Sequence, residues 1–185
     1  MNYEIYKNVR NASWQCLIDC GICSLPTSLS AICRHFDIRI VKNSTLRQNQ
    51  LRDNERGKTE LFQEQLTVIV MDTDPLDVQR YTIAHEIGHI LIGADSSEYE
   101  AERFAIGILA PSCVLWALQL HKPEDIARLC DISLVSAKIR AERMAVLYKR
   151  EQEFFRKYGR SCFLQSPLEQ KVYKQFKEFI KQNQQ

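Results

Sequence analysis

The chain has 185 residues, 45% of them hydrophobic, and its 25 Lys+Arg against 23 Asp+Glu leave a formal net charge of +2. That size and composition suit one globular domain with a sizeable core. No apolar run approaches the roughly 20 residues of a membrane span. The opening MNYEIYKNVRN lacks the apolar centre of a signal peptide, so a cytoplasmic location with no membrane partner is expected.

Tyr6, Val9, Trp14, Leu17 and Ile18 recur at helical spacing and predict an amphipathic first helix ended by Gly21. Cys16, Cys20 and Cys23 make a C-x-x-x-C-x-x-C pattern, a spacing that radical-SAM enzymes use for an iron–sulfur cluster. Those enzymes need a far longer barrel, so the sulfurs are expected near a helix face. The seven cysteines, an odd number, are expected as reduced thiols packed as small hydrophobes. Pro26 predicts the start of a short second helix running to residue 36, and residues 38–42 read as β-rich. Residues 43–58, NSTLRQNQLRDNERGK, show no apolar period and predict a mobile loop. Two strands are expected at 59–62 and 66–71, joined by Gln63, Glu64 and Gln65, and LTVIVM is the strongest strand signal in the chain.

Asp72, Thr73 and Asp74 predict a turn and cap, and Pro75 opens the next helix, which carries YTIAHEIGHILIG at 81–93. His85, Glu86 and His89 form an H-E-x-x-H pattern. Residues four apart on a helix have Cβ atoms about 5–6 Å apart, so both imidazoles can reach one ion, and zinc takes imidazole nitrogen readily. Glu86 then sits beside a metal-held water as its base. A buried, unpaired Glu between two imidazoles is costly, and a dication compensates it. Gly88 in that helix suggests close approach of another backbone.

A catalytic zinc site needs a third protein ligand and an open position for water. Ser96 or Ser97 can cap the following helix, SEYEAERFAIGILAP, in which Glu98 and Glu102 lie one turn apart while Glu100 points elsewhere. Glu98 is the expected third ligand, and Glu102 the expected acceptor for the free ring N–H of a ligating His. All three acids would also serve as solvated first-turn residues.

Helices are further predicted at 113–120, 123–130, 133–158 (ended by Gly159) and 166–182, the last packing Leu168, Val172, Phe176, Phe179 and Ile180. From Lys138 to the end there are 12 Lys+Arg and 5 Asp+Glu, while the preceding residues hold 13 and 18. The basic end reads either as solvated helix faces or as a dock for an acidic surface or nucleic acid. EDIARLCDISLVSAKIRAERM also resembles a helix-turn-helix, with Ile126, Ala127, Ser133, Ala137 and Arg140 at suitable offsets, although a plain helical hairpin would use the same positions.

RYTIA before H-E-I-G-H, and E-Y-E-A-E-R-F-A-I-G-I-L-A-P after it, resemble the ImmA/IrrE family of metallo-endopeptidases. Its usual pattern is R-F-T-x-A-H-E-L-G-H, then E-x-x-A-N or E-x-x-A-D with F-A and L-x-x-P. The likeness runs from about residue 66 to 111. It implies His85, His89 and Glu98 as zinc ligands and Glu86 as catalytic base. Glu102 stands where the family has Asn or Asp. The expected fold is α+β and zincin-like: six or seven helices and a small three-stranded sheet packed on the motif helix. Residues 1–130 would form the metallopeptidase domain, and 131–185 a basic helical extension packed on it. One of the two strands at 59–71 would be the edge that pairs with an extended substrate, and Tyr99 and His121 are candidate oxyanion donors. The resemblance further implies a site-specific cut in a partner protein, a helix-turn-helix repressor of a mobile element or stress response. The alternative is a non-proteolytic, zinc-containing regulatory or toxin-type module that binds a repressor, an antitoxin or DNA.

Overall fold

The computed structural model describes residues 3–93, 95–164 and 166–184. Among them the architecture is mainly helical α+β, with nine α-helices and one three-stranded mixed sheet. No described helix is long and apolar enough to cross a membrane.

Helix α1 (Tyr3–Asp19) buries Val9, Trp14, Cys16 and Leu17, and the chain turns at Gly21. Helix α2 (Leu29–His35) starts later than Pro26 suggests, because Ser28 is its cap: Ser28 Oγ accepts from Ala31 N at 3.3 Å. Strand β1 (Arg39–Lys42) follows, then β2 (Gly57–Phe62) and β3 (Gln65–Val70) in the order β1-β3-β2. β1 runs parallel to β3, with Arg39 opposite Thr67, and β2 antiparallel, with Thr59 opposite Val68. The β2–β3 turn holds two residues instead of three. Gln63 (φ 50°) and Glu64 (φ 64°) are both left-handed, as a tight hairpin turn requires.

Residues 43–58 are not the open loop their polarity predicts. Asn43 is buried, donates to Asn49 Oδ1 at 2.5 Å and accepts from Gln50 N at 3.1 Å. Leu51 is 4% exposed. Asp72 accepts from Ser44 N (3.0 Å) and Ser44 Oγ (2.6 Å), which holds its carboxyl below the usual range. It therefore anchors this segment and does not cap the next helix. A hydrogen-bonded loop of this kind can be ordered with no apolar period at all.

Helix α3 (Leu76–Ile92) has Pro75 at its N-cap and ends at Gly93, whose φ of 130° only glycine adopts freely. Helix α4 (Glu98–Leu109) packs on both α3 and α1 and buries Ala101, Phe104, Ala105, Ile108 and Leu109 completely. Gly88 makes the α3–α4 approach possible: a Cβ there would stand 3.1 Å from the Ala101 Cα and carbonyl oxygen and 3.3 Å from Phe104 Cβ.

Helices α5 (Ser112–Ala117), α6 (Pro123–Cys130) and α7 (Leu134–Tyr158) follow, with left-handed Asp131 between α6 and α7 and Gly159 closing α7. Ile126 and Ala137 are buried, and Arg140 turns inward to donate to Ile106 O at 2.6 Å. Arg140 thus ties α7 to the last turn of α4 and is not available to read a base edge. The last helix is two: α8 (Pro167–Gln175) and α9 (Lys177–Asn183) meet at Phe176, where the backbone leaves helical geometry and the ring is fully buried. Val172, Phe176 and Ile180 join the same hydrophobic core as α1, α3 and α4. All seven cysteines are free, and four of them are buried.

Replacing Gly88 with Ala overpacks the α3–α4 contact by about 1–3 kcal/mol, offset in part by roughly 1 kcal/mol of helix propensity. The net cost is about 0–2 kcal/mol, and the expected result is a Tm lower by up to roughly 8 °C. A raised Tm would show that the helices can separate freely there.

Candidate metal centre

One turn of α3 separates His85 from His89, so the helix points both rings to one side. Their centroids are 4.9 Å apart with planes at 71°, and the two Nε2 atoms lie 3.1 Å apart. Glu98, the first residue of α4, reaches across: Oε2 is 3.1 Å from His85 Nε2, and Oε1 is 3.5 Å from His89 Nε2. Among the described residues this is the one group of His, Cys, Asp or Glu whose donor atoms converge in a way that could hold a metal ion.

The distances fit such an ion. A tetrahedral site with bonds of about 2.0–2.1 Å has edges of about 3.3 Å between ligand atoms; the two Nε2 atoms are 3.1 Å apart, and one ligand atom from each of His85, His89 and Glu98 lies within 4.8 Å of the others. His89 Nδ1 lies 3.0 Å from Ser96 Oγ. With that nitrogen donating to the hydroxyl, the Nε2 lone pair faces the other two ligands. The serine does for His89 what the sequence assigns to Glu102. Glu102 lines the same cavity but neither imidazole hydrogen-bonds to it.

Why Glu98 and not Glu100 follows from the helix start. Ser97 is the N-cap, and Glu100 closes a capping box with it, accepting from Ser97 N at 3.0 Å and Ser97 Oγ at 2.7 Å. Those hydrogen bonds hold the Glu100 carboxyl below its ordinary range. Glu98 is left free to turn back over α3, its side chain 81% exposed while those of the histidines are 15% and 20% exposed.

Glu86 lies in the same cavity, of about 760 Å³. It is not the unpaired acid that the sequence argument assumed. Thr59 Oγ1, on β2, donates to Glu86 Oε2 at 2.8 Å. β2 is an edge of the sheet, and it can lie this close to α3 because Gly57 has no side chain. A Cβ on Gly57 would run into Thr82 Cγ2 and stand 3.1 Å from Ile69 O. Neither Thr59 nor Gly57 carries a signal in the sequence, since their roles depend on which strand edge meets α3.

Of the two oxyanion candidates neither lines the cavity. His121 packs on the Tyr148 ring (4.3 Å), and Tyr99 lies under the Arg103 guanidinium (4.7 Å). Tyr81, one turn before His85, does line it, and burial pushes its phenol up to about 12. Its ring lies 6.5 Å from that of His85. The helical spacing of Tyr81 from His85 was the available signal.

Compared with known families and curated proteins, the chain matches no family model and no curated sequence.

Titration with cobalt(II), a probe of tetrahedral sites, is expected to show one ion per chain, with binding weaker at low pH as the imidazoles protonate. Glu98→Ala should lose it. Glu100→Ala should keep it while losing the capping-box hydrogen bonds to Ser97. Full cobalt occupancy in Glu98→Ala would remove Glu98 from the site.

Proposed function

We propose that the chain is a zinc-dependent endopeptidase that makes a site-specific cut in a partner protein. The observation that carries this reading is the placement of Glu86: its carboxylate shares one cavity with the His85, His89 and Glu98 donor atoms and is held by a hydroxyl from the neighbouring edge strand. A site that only stores or senses a metal has no need of a positioned carboxylate outside the ligand set. Two imidazoles and one carboxylate suit zinc, and they match the three-ligand donor set of zinc hydrolases, which leaves the fourth position open.

Zinc, when bound, supplies Lewis acidity to the peptide carbonyl and acidifies the attacking water. The chain's own groups do the rest. Thr59 Oγ1 holds Glu86 Oε2 in place, and no other hydrogen bond to the carboxylate is made among the described residues, so it stays open to take the water's proton. As water adds to the carbonyl carbon, Glu86 accepts that proton; as the C–N bond breaks, it returns it to the amine nitrogen. Strand β2 offers its unpaired edge beside this carboxylate, where an extended substrate backbone can add as a further strand. Tyr81 is the cavity residue able to donate to the developing oxyanion.

The resemblance of the 66–111 segment to the ImmA/IrrE family supports a helix-turn-helix repressor as the substrate, and the basic C-terminal helices offer Lys171, Lys174 and Lys177, all exposed, to an acidic partner surface. Incubation of the zinc-loaded protein with repressors encoded beside it, followed by mass spectrometry of the fragments, tests the reading. Glu86→Gln should retain zinc and melt normally while cleavage falls by about 10²–10⁴-fold. Cleavage undiminished in Glu86→Gln would refute the mechanism.

Thr59 offers a finer test. Thr59→Val removes the hydroxyl that aims Glu86, and Thr59→Ser restores it. The valine variant should lose kcat with metal content and KM unchanged, and the serine variant should recover it. Equal kcat in both would leave Thr59 as packing alone.

A further inference from the structure

Behind the sheet, on the face turned away from α3, lies a second cavity of about 430 Å³. Register brings its floor together. Arg39 lies opposite Thr67 and Thr67 opposite Glu60, while Val41 lies opposite Ile69, and strand alternation sends all of them to this face. Thr67 and Ile69 are each 4% exposed, Phe62 stands at the rim at 53%, and Leu46 and Arg47 of the 43–56 segment close the opposite side.

The charges around this apolar floor are unbalanced. Glu60 is neutralised by Lys58 Nζ at 2.6 Å. Arg39 and Arg47 are exposed, and among the described residues neither makes an ion pair or a side-chain hydrogen bond. Two free guanidiniums over an aliphatic and aromatic floor match a ligand with a planar or tetrahedral anionic head and an apolar body. A cation would meet repulsion, and a neutral ligand would leave both donor forks idle. The volume is that of a small-molecule site.

We propose that this cavity binds a small amphipathic anion, its apolar body on Val41, Ile69 and Phe62 and its carboxylate or sulfonate on Arg39 and Arg47. The site is independent of the metal chemistry, although the two cavities share β2, with Thr59 facing one and Glu60 the other.

The probe is 1-anilinonaphthalene-8-sulfonate, followed by its fluorescence, beside N-phenyl-1-naphthylamine, which has the same rings and no sulfonate. The folded, full chain is expected to bind one sulfonate probe saturably. Affinity should be about tenfold or more lower for the neutral probe, and lower by the same factor for the sulfonate in Arg39→Gln/Arg47→Gln. Both arginines are exposed and unpaired, so that variant should melt as the native chain does. Phe62→Ser should weaken both probes, and His85→Ala, which alters the metal cavity, neither. Equal binding of the two probes to the native chain overturns the proposal without reference to any variant. So does unchanged sulfonate binding in the double variant, or its loss in His85→Ala, which would place the probe in the metal cavity.

Discussion

The contact between Gly88 on α3 and Ala101 on α4 is the constraint on which the rest depends. Two helices that bury their facing sides usually stand 8–10 Å apart, with the spacing set by side chains at the crossing. Here one partner contributes no side chain and the other a methyl group. That draws the first turn of α4 over the last turns of α3. Glu98, with a short reach, then meets His85 and His89 at hydrogen-bonding distance. The N-cap at Ser97 sets where α4 begins, and with it which acid faces the histidines. A helix begun one residue later would have Tyr99, not a carboxylate, at its first position.

A second close approach sets the other wall. Gly57 lets β2 settle against Thr82 of α3, and the alternation of the strand does the rest. Thr59 faces α3 and bonds Glu86, while Glu60 and Phe62 face the other way and line the cavity behind the sheet. One strand therefore serves two cavities with opposite faces. It remains an edge because β1 joins the sheet on the far side of β3, in parallel.

The C-terminal helices belong to the same core. Arg140 donates to the carbonyl of Ile106 at the end of α4, which also accepts from Ala110 N, and the negative pole of the helix makes this a favourable place for a cation. Arg143 donates to the Tyr6 hydroxyl of α1 at 3.1 Å. The basic character of this region is thus only partly a surface property. Its inward arginines fasten α7 to the body that carries the candidate metal centre, while Lys171, Lys174 and Lys177 on α8 and α9 are exposed and Lys181 pairs with Glu178 at 3.0 Å.

Local pattern was enough for the helices, for β3 and for the H-E-x-x-H face. Helical and strand periods, prolines at helix starts and a histidine pair at i, i+4 are short-range facts that burial reinforces. The ordering of residues 43–58 was not legible, because it rests on Asn43 and Asp72 finding partners far along the chain or across a turn. Nor was the split at Phe176, where the apolar pattern runs on through a backbone that leaves helical geometry around a fully buried ring. Ser96 on His89 and Thr59 on Glu86 were invisible for a common reason. A ligand's spacing is written along one helix, but the groups that aim it come from other segments. Sequence alone determined which residues can hold a metal; tertiary packing decided which groups orient them, since hydrogen bonds across elements depend on distances that no local pattern encodes.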